Sequence, residues 1–316
     1  MPFVLKKWIR RLRARFEGVG IFLARLLFTR CSRKRILSAA RVMGDISFLC
    51  ARRHRRIAAA NLDIIFGSRL SARRRRALLR AHFRHAALVL LDLFWFMHDG
   101  KARIGRWVGM DDDLQEWFRA NPSGILVTGH LGNWEVAGQI VVVRGMQLTS
   151  VAKPIGTRAT TRRLNHYRRS LGQKIVMADG AVRGLVRALG AGEYIALLID
   201  QYVELADGGA WVDFLGLPAA VTCAPARLAM KFRVPVAVCW AQALPGGRYQ
   251  CRLLGSCTPA PDDDPVRVTQ QFINLMAQAI RRYPSQWLLS YKRWKRWPPG
   301  ADPATFPFYA RPWDGC

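Results

Sequence analysis

The sequence predicts an α/β protein with a mostly parallel central sheet flanked by helices and a helical layer at its N-terminus. Three observations carry that prediction. A short, β-branched apolar run, Gly124 to Thr128, is bounded by Asn121-Pro122-Ser123 before and Gly129 after, as a buried parallel strand should be. Similar runs then alternate with helical segments up to Leu254, and such alternation builds parallel sheets because each crossover helix covers the sheet it leaves. Ahead of residue 110, by contrast, the apolar spacing is helical throughout.

Taken in order, Ile36, Leu37, Ala40 and Val42 lead into Ile46 to Cys50, and Ala77, Leu78, Ala81 and Phe83 lead into Leu88 to Phe96. These sets predict three or four helices before residue 110. After the first strand, Trp134 to Val143 reads as helix, Gln147 to Ala152 as strand, and Thr160 to Leu171 as a helix stopped by Gly172. Lys174 to Met177 and Tyr194 to Ile199 are predicted strands around a helix at Ala181 to Ala191. A loop is expected at Gly208 and Gly209, followed by a helix at Ala224 to Lys231 and a strand at Pro235 to Trp240. An edge strand at Tyr249 to Leu254 and a closing helix over Pro265 to Arg282 complete the series. No repeat or linker interrupts it, so residues 111–316 read as one continuous α/β core behind an N-terminal helical region, 1–110.

Composition narrows what such a fold can meet. Against 21 Asp and Glu stand 50 Lys and Arg, a formal charge of +29 that draws polyanions: anionic lipid, nucleic acid or an acidic carrier protein. The runs Arg10 to Arg15, Arg33 to Arg35, Arg52 to Arg56 and Arg73 to Arg76 lie between apolar segments, an interleaving that favours an anionic membrane surface. Nucleic acid is not expected, because the basic runs lack interleaved stacking aromatics and match no nucleic-acid module. No uncharged apolar stretch reaches the roughly 18 residues of a membrane span; the best, Gly18 to Thr29, is short and carries Arg25. Val4 to Phe28 instead spaces Trp8, Leu12, Phe16, Val19, Phe22, Leu23, Leu26 and Leu27 mostly three or four apart among Lys and Arg. That is the pattern of an amphipathic helix lying on a membrane, though a helix packed on the protein core shares its period. The 7 cysteines include no C-x-x-C pair and are expected to be reduced.

The segment Gly129-His130-Leu131-Gly132-Asn133-Trp134-Glu135 follows the first strand, and ligands of open α/β sheets gather at the carboxyl ends of strands. Residues five apart on a regular helix point about 140° apart. A cooperating pair therefore needs His130 before the helix and Glu135 in its first turn, with Gly132 freeing the turn and Asn133 as N-cap. Glu135 is then expected to hydrogen-bond the imidazole, fix its tautomer and leave the other nitrogen as a general base toward an alcohol, which is what acyl transfer requires. Spacing alone leaves a plainer reading open, in which His130 satisfies a strand-end carbonyl and Glu135 complements the helix dipole. Neither H-E-x-x-H nor G-x-S-x-G occurs, so neither a metal ligand set nor a Ser nucleophile elbow is expected.

This heptapeptide resembles the HX4E signature of the bacterial lipid A late acyltransferases, within the lysophospholipid acyltransferase superfamily. The likeness covers most of the chain: Arg56 to Phe66, Arg168 four residues before Gly172, Asp200-Gln201, Phe214-x-Gly216-x-Pro218 with Thr222, Tyr283-Pro284-x-Gln286-Trp287, and Lys292-Arg293-Trp294. Two features depart from the family pattern. Members commonly begin with a transmembrane helix, and Leu288-Leu289-Ser290-Tyr291 stands where a Trp and a His are usual.

The resemblance implies an enzyme on the cytoplasmic face of the inner membrane, and the lack of an apolar span leads to the expectation that it is peripheral or monotopic there. It would move a fatty acyl group from acyl carrier protein or coenzyme A directly to a hydroxyl of a lipid A precursor or related glycolipid, without covalent intermediate or cofactor. His130 is then the base and Glu135 its partner. Arg168 is implied as an anion or oxyanion ligand, Asp200 as a residue orienting the acceptor or Arg168, and Asn133, Trp134 and Gln201 as pocket residues. A phosphatidylinositol mannoside or a lysophospholipid remains open as acceptor. A non-enzymatic basic membrane- or nucleic-acid-binding protein is the distant alternative.

Overall fold

The computed structural model describes residues 27–154 and 156–314. The predicted amphipathic helix at Val4 to Phe28 lies, save for Leu27 and Phe28, outside the described residues. Helix α1 (Arg33–Cys50) begins at Ser32, whose hydroxyl accepts from the Arg35 amide, and α3 (Ala72–Trp95) begins at Ser71, which accepts from Arg74. Such caps satisfy amides that the first helical turn leaves without partners. Between them runs α2 (Arg52–Phe66), and α4 (Gly100–Trp107) follows. Helices α1 and α3 pack closely because residue 44 is glycine: a Cβ there would lie 2.4 Å from the Arg84 Cα. Among the described residues no helix is long and apolar enough to cross a membrane.

The remaining chain alternates as expected: β1 (Val108–Met110), α5 (Asp112–Ala120), β2 (Gly124–Thr128), α6 (Trp134–Val143), β3 (Leu148–Ala152), α7 (Arg158–Ser170), β4 (Lys174–Met177), α8 (Ala181–Gly190) and β5 (Tyr194–Leu198). Then come β6 (Gly209–Phe214), β7 (Leu217–Thr222), α9 (Ala224–Phe232), β8 (Val236–Ala243), β9 (Tyr249–Cys257) and α10 (Pro265–Arg282), with short strands β10 (Arg296–Trp297) and β11 (Arg311–Pro312) near the end. The main sheet has seven strands in the order β1-β9-β8-β2-β5-β3-β4. All neighbours are parallel except β8 and β9. The fold is thus α/β with a mainly parallel central sheet.

Two sequence expectations need correction. Tyr249 to Leu254 is not an edge strand, since Val108–Met110 pairs outside it; that edge strand has three residues, too few for an apolar run to register as a pattern. Gly208 and Gly209 do not open a plain loop either, because Gly209–Phe214 and Leu217–Thr222 form an antiparallel hairpin. Its two-residue turn places Leu215 and Gly216 at φ 64° and 97°. The usual Asn-Gly or Asp-Gly signal for that geometry is missing, and Asp213 Oδ1 instead accepts the Gly216 amide at 2.9 Å.

Both faces of the sheet are covered, and strand periodicity divides the core accordingly. In β2, Ile125 and Val127 enter one buried cluster with Leu197, Leu62 and Phe83, while Leu126 enters the other with Ile140, Ile36 and Leu91. The N-terminal helices therefore contribute side chains to both cores.

Candidate active site

Strands β2 and β5 are parallel neighbours with Thr128 opposite Leu198. The residues two beyond each strand end, His130 and Asp200, thus emerge side by side at the carboxyl edge of the sheet. His130 Nδ1 lies 2.7 Å from Asp200 Oδ1, and the His130 backbone amide donates to Oδ2 at 3.0 Å. Trp287 Nε1 at 3.0 Å and an Arg293 nitrogen at 2.6 Å also donate to Oδ2. Residue 129 is glycine where a Cβ would meet the Asp200 carboxyl carbon at 3.0 Å.

Asp200 is fully buried, which opposes its charge. The attraction of His130 and Arg293 and their hydrogen bonds outweigh that burial and hold the carboxyl well below the usual carboxylate range. An ionised Asp200 is acceptor-only, so His130 Nδ1 carries a proton, and in the neutral ring it is Nε2 that holds the lone pair. Gln201 Nε2 lies 3.1 Å from that outer nitrogen. The Trp134 ring stands edge-on to the imidazole with centroids 4.8 Å apart.

The turn that carries His130 is clamped from several sides. Gly132 adopts φ 64°, and any Cβ there would lie 1.8 Å from the Ala241 carbonyl oxygen, so no other residue fits. Its amide donates to the Gln286 carbonyl, the next amide to the Ala241 carbonyl, and the Leu288 amide to the His130 carbonyl, each at 2.9 Å. His85 Nε2 reaches the Gly132 carbonyl at 3.1 Å. Asn133 caps α6 by accepting from the Val136 amide, and its side-chain nitrogen donates to Asp92 at 3.3 Å. The predicted placement of His130 before the helix and Glu135 in its first turn is what the fold contains.

The expected hydrogen bond between Glu135 and His130 is not made. Glu135 points the other way, into a bidentate ion pair with Arg168, which also donates to Asn165 at 2.9 Å. The physical reason is position: Asp200 comes from the neighbouring strand at the level of the imidazole, whereas Glu135 leaves the first turn of α6 on the side facing α7. Nor does Asp200 orient Arg168; it orients His130. Glu135, Arg168 and Trp134 instead line a narrow cavity whose walls include Leu114, Phe118, Leu126, Val141 and Leu198, a mainly apolar lining interrupted by Thr128, Ser150 and Gln173.

Of the residues singled out from sequence, His130, Asp200, Gln201 and Trp134 meet directly, Glu135 and Arg168 form a second pair beside them, and Asn133 supports the turn from behind. Sequence reasoning gave no role to Trp287 and Arg293, although both lie in motifs that it picked out. It also passed over Asp92 and His85, which sit inside helical periods with no local mark of a role.

The bacterial lipid A biosynthesis acyltransferase model matches residues 9–296. Curated relatives include the phosphatidylinositol mannoside acyltransferase of Mycobacterium tuberculosis, 27% identical over 198 residues covering 61% of each chain. That of Mycolicibacterium smegmatis is 25% identical over 225 residues, 69% of this chain and 72% of its own. The chain thus spans about three-fifths of the length of the Mycobacterium tuberculosis proteins it matches. With a match running through the strand-end turn and on past Arg293, the chain belongs to the bacterial lipid A biosynthesis acyltransferase family.

Proposed function

We propose that this protein is a membrane-associated O-acyltransferase that moves a fatty acyl group from a thioester, on acyl carrier protein or coenzyme A, to a hydroxyl of a lipid A precursor or related glycolipid. The observation that carries this reading is the buried, ionised Asp200 bonded to His130 Nδ1, which leaves Nε2, met by the Gln201 amide, as the base. The acceptor hydroxyl displaces the Gln201 amide from Nε2 and gives its proton to that nitrogen as its oxygen attacks the thioester carbonyl carbon. The C–S bond then breaks, and the imidazolium returns the proton to the leaving sulfur. Asp200 stabilises the imidazolium between the two transfers. The acyl chain lies in the mainly apolar cavity that Trp134, Glu135 and Arg168 help to line. Three of the five Arg168 N–H groups are used by Glu135 and Asn165, which leaves two to meet the developing oxyanion.

The names of the relatives favour a second acceptor, a phosphatidylinositol mannoside, within the same chemistry. The family favours work at the cytoplasmic face of the inner membrane. The test is transfer from radiolabelled acyl carrier protein and coenzyme A thioesters to each acceptor by the purified chain. His130→Ala should stay folded and lose transfer by about 10²–10⁴-fold, the usual worth of a general base. A fully active His130→Ala, or no transfer to any glycolipid or lysolipid by the unaltered protein, would refute the reading.

A further inference from the structure

A second concavity lies away from the strand ends, between α1 and α3. It encloses about 590 Å³, and its floor is apolar, with Leu37, Ala77 and Leu88 among its lining residues. Its rim carries Arg41, Arg73, Arg76, Arg80 and Arg84. Asp45 is bonded by both Arg80 and Arg84, whereas Arg41, Arg73 and Arg76 are exposed and make no ion pair among the described residues. Such an excess of guanidinium groups over carboxylates calls for an anion that accepts bidentate hydrogen bonds.

The surroundings say what kind of anion. Exposed apolar side chains also stand elsewhere on these two helices, Val42, Ile46 and Leu49 on the face of α1 turned away from the groove and Leu90 on α3. Within the groove, a ligand with its charge among the arginines can keep hydrocarbon against Leu37, Ala77 and Leu88, which a free ion or a polar protein surface would leave wet. The groove also touches the catalytic turn from behind, since His85 lines it and bonds the Gly132 carbonyl.

We propose that the α1–α3 groove is a binding site for a membrane phospholipid of net negative charge, which seats the enzyme on the bilayer with its arginines around the head group. The lipid nature of the occupant rests on the membrane acyltransferase reading above. The test reads binding, not turnover, so the two stand or fall separately: a catalytically dead protein that binds keeps this proposal, and an active one without arginine-dependent binding ends it.

Calorimetric titration of the full chain with dihexanoyl phosphatidylglycerol, dihexanoyl phosphatidylcholine and inorganic phosphate decides the matter. The anionic lipid should bind about tenfold or more tighter than the other two, and Arg73→Gln/Arg76→Gln should lose about tenfold of that affinity. Arg41→Gln, on the opposite wall, should weaken the same titration, so the result does not hang on the folding of one variant. Phosphate binding as well as the lipid, equal binding of both lipids, or an unaltered affinity in the arginine variants would overturn the proposal. So would variants that lose only the binding of an acidic carrier protein.

Discussion

Asp200 collects a histidine, an arginine, an indole and a backbone amide on its two oxygens, and that saturation is why a carboxylate stays charged in a buried position. Glu135 stands in a different relation to the chemistry, because its partner is Arg168. If Glu135 acts by holding Arg168, then Glu135→Gln and Arg168→Gln should each lower kcat/KM, and the double variant should do little further harm. A mutant cycle on kcat/KM should give a coupling of about 1–3 kcal/mol; strict additivity would show the two residues acting apart. Asp200→Asn keeps the shape but reverses the hydrogen-bond polarity toward Nδ1, and its rate should fall by up to about 10⁴-fold with KM little changed. The sequence marked both carboxylates as site residues. Which one faces the imidazole was not legible, because Glu135 is five residues from His130 along the chain while Asp200 is a neighbour only across the sheet.

Helix α3 connects the scales, since it presents His85 to the Gly132 carbonyl and Asp92 to Asn133. Asp92 also receives Arg33, at the start of α1, and the Tyr249 hydroxyl from β9, and Arg33 stacks over Trp95 at 4.6 Å. Burial raises the Asp92 carboxyl, and Arg33, Tyr249 and Asn133 offset only part of this. Asp92→Ala would leave the Arg33 guanidinium buried without a counter-charge, so the urea midpoint should register a loss of about 3–5 kcal/mol. The two histidines on α3 add a pH dependence. Burial pushes His82 down to about 3 and His85 down to about 4, both below the unfolded value near 6.5. The unfolded chain therefore binds protons that the folded one refuses, and stability falls as pH drops below about 6.5. From about pH 7.5 to about pH 5 the loss should be about 2 kcal/mol for His82 alone, read as a lower urea midpoint. His82→Leu should flatten part of that slope, and a midpoint independent of pH would contradict the burial of these rings.

For the molecule as a whole, the charge of +29 exceeds anything the fold needs, and it sets expectations for association. Binding to anionic vesicles and to an acidic acyl donor, and activity with them, should weaken as salt rises from low to physiological strength; cosedimentation and initial rates measure it, and indifference to salt in both would count against electrostatic docking. Much of the architecture could be read in the chain beforehand. The bounds of β2, β4 and α10 follow from apolar runs between Gly, Pro and Asn, and His130 precedes its helix because Gly132 and Asn133 make any other course of the backbone unfavourable. Local interactions decide such features, so local sequence carries them. Strand order is different: it places β5 beside β2, Val108–Met110 outside β9, and α3 behind the turn, through burial and pairing summed over distant segments. The sequence by itself determined that a histidine waits at a strand end before a helix; only the tertiary structure decided that Asp200, 70 residues on, is the carboxylate that orients it, because adjacency across a parallel sheet has no counterpart in the spacing of residues along the chain.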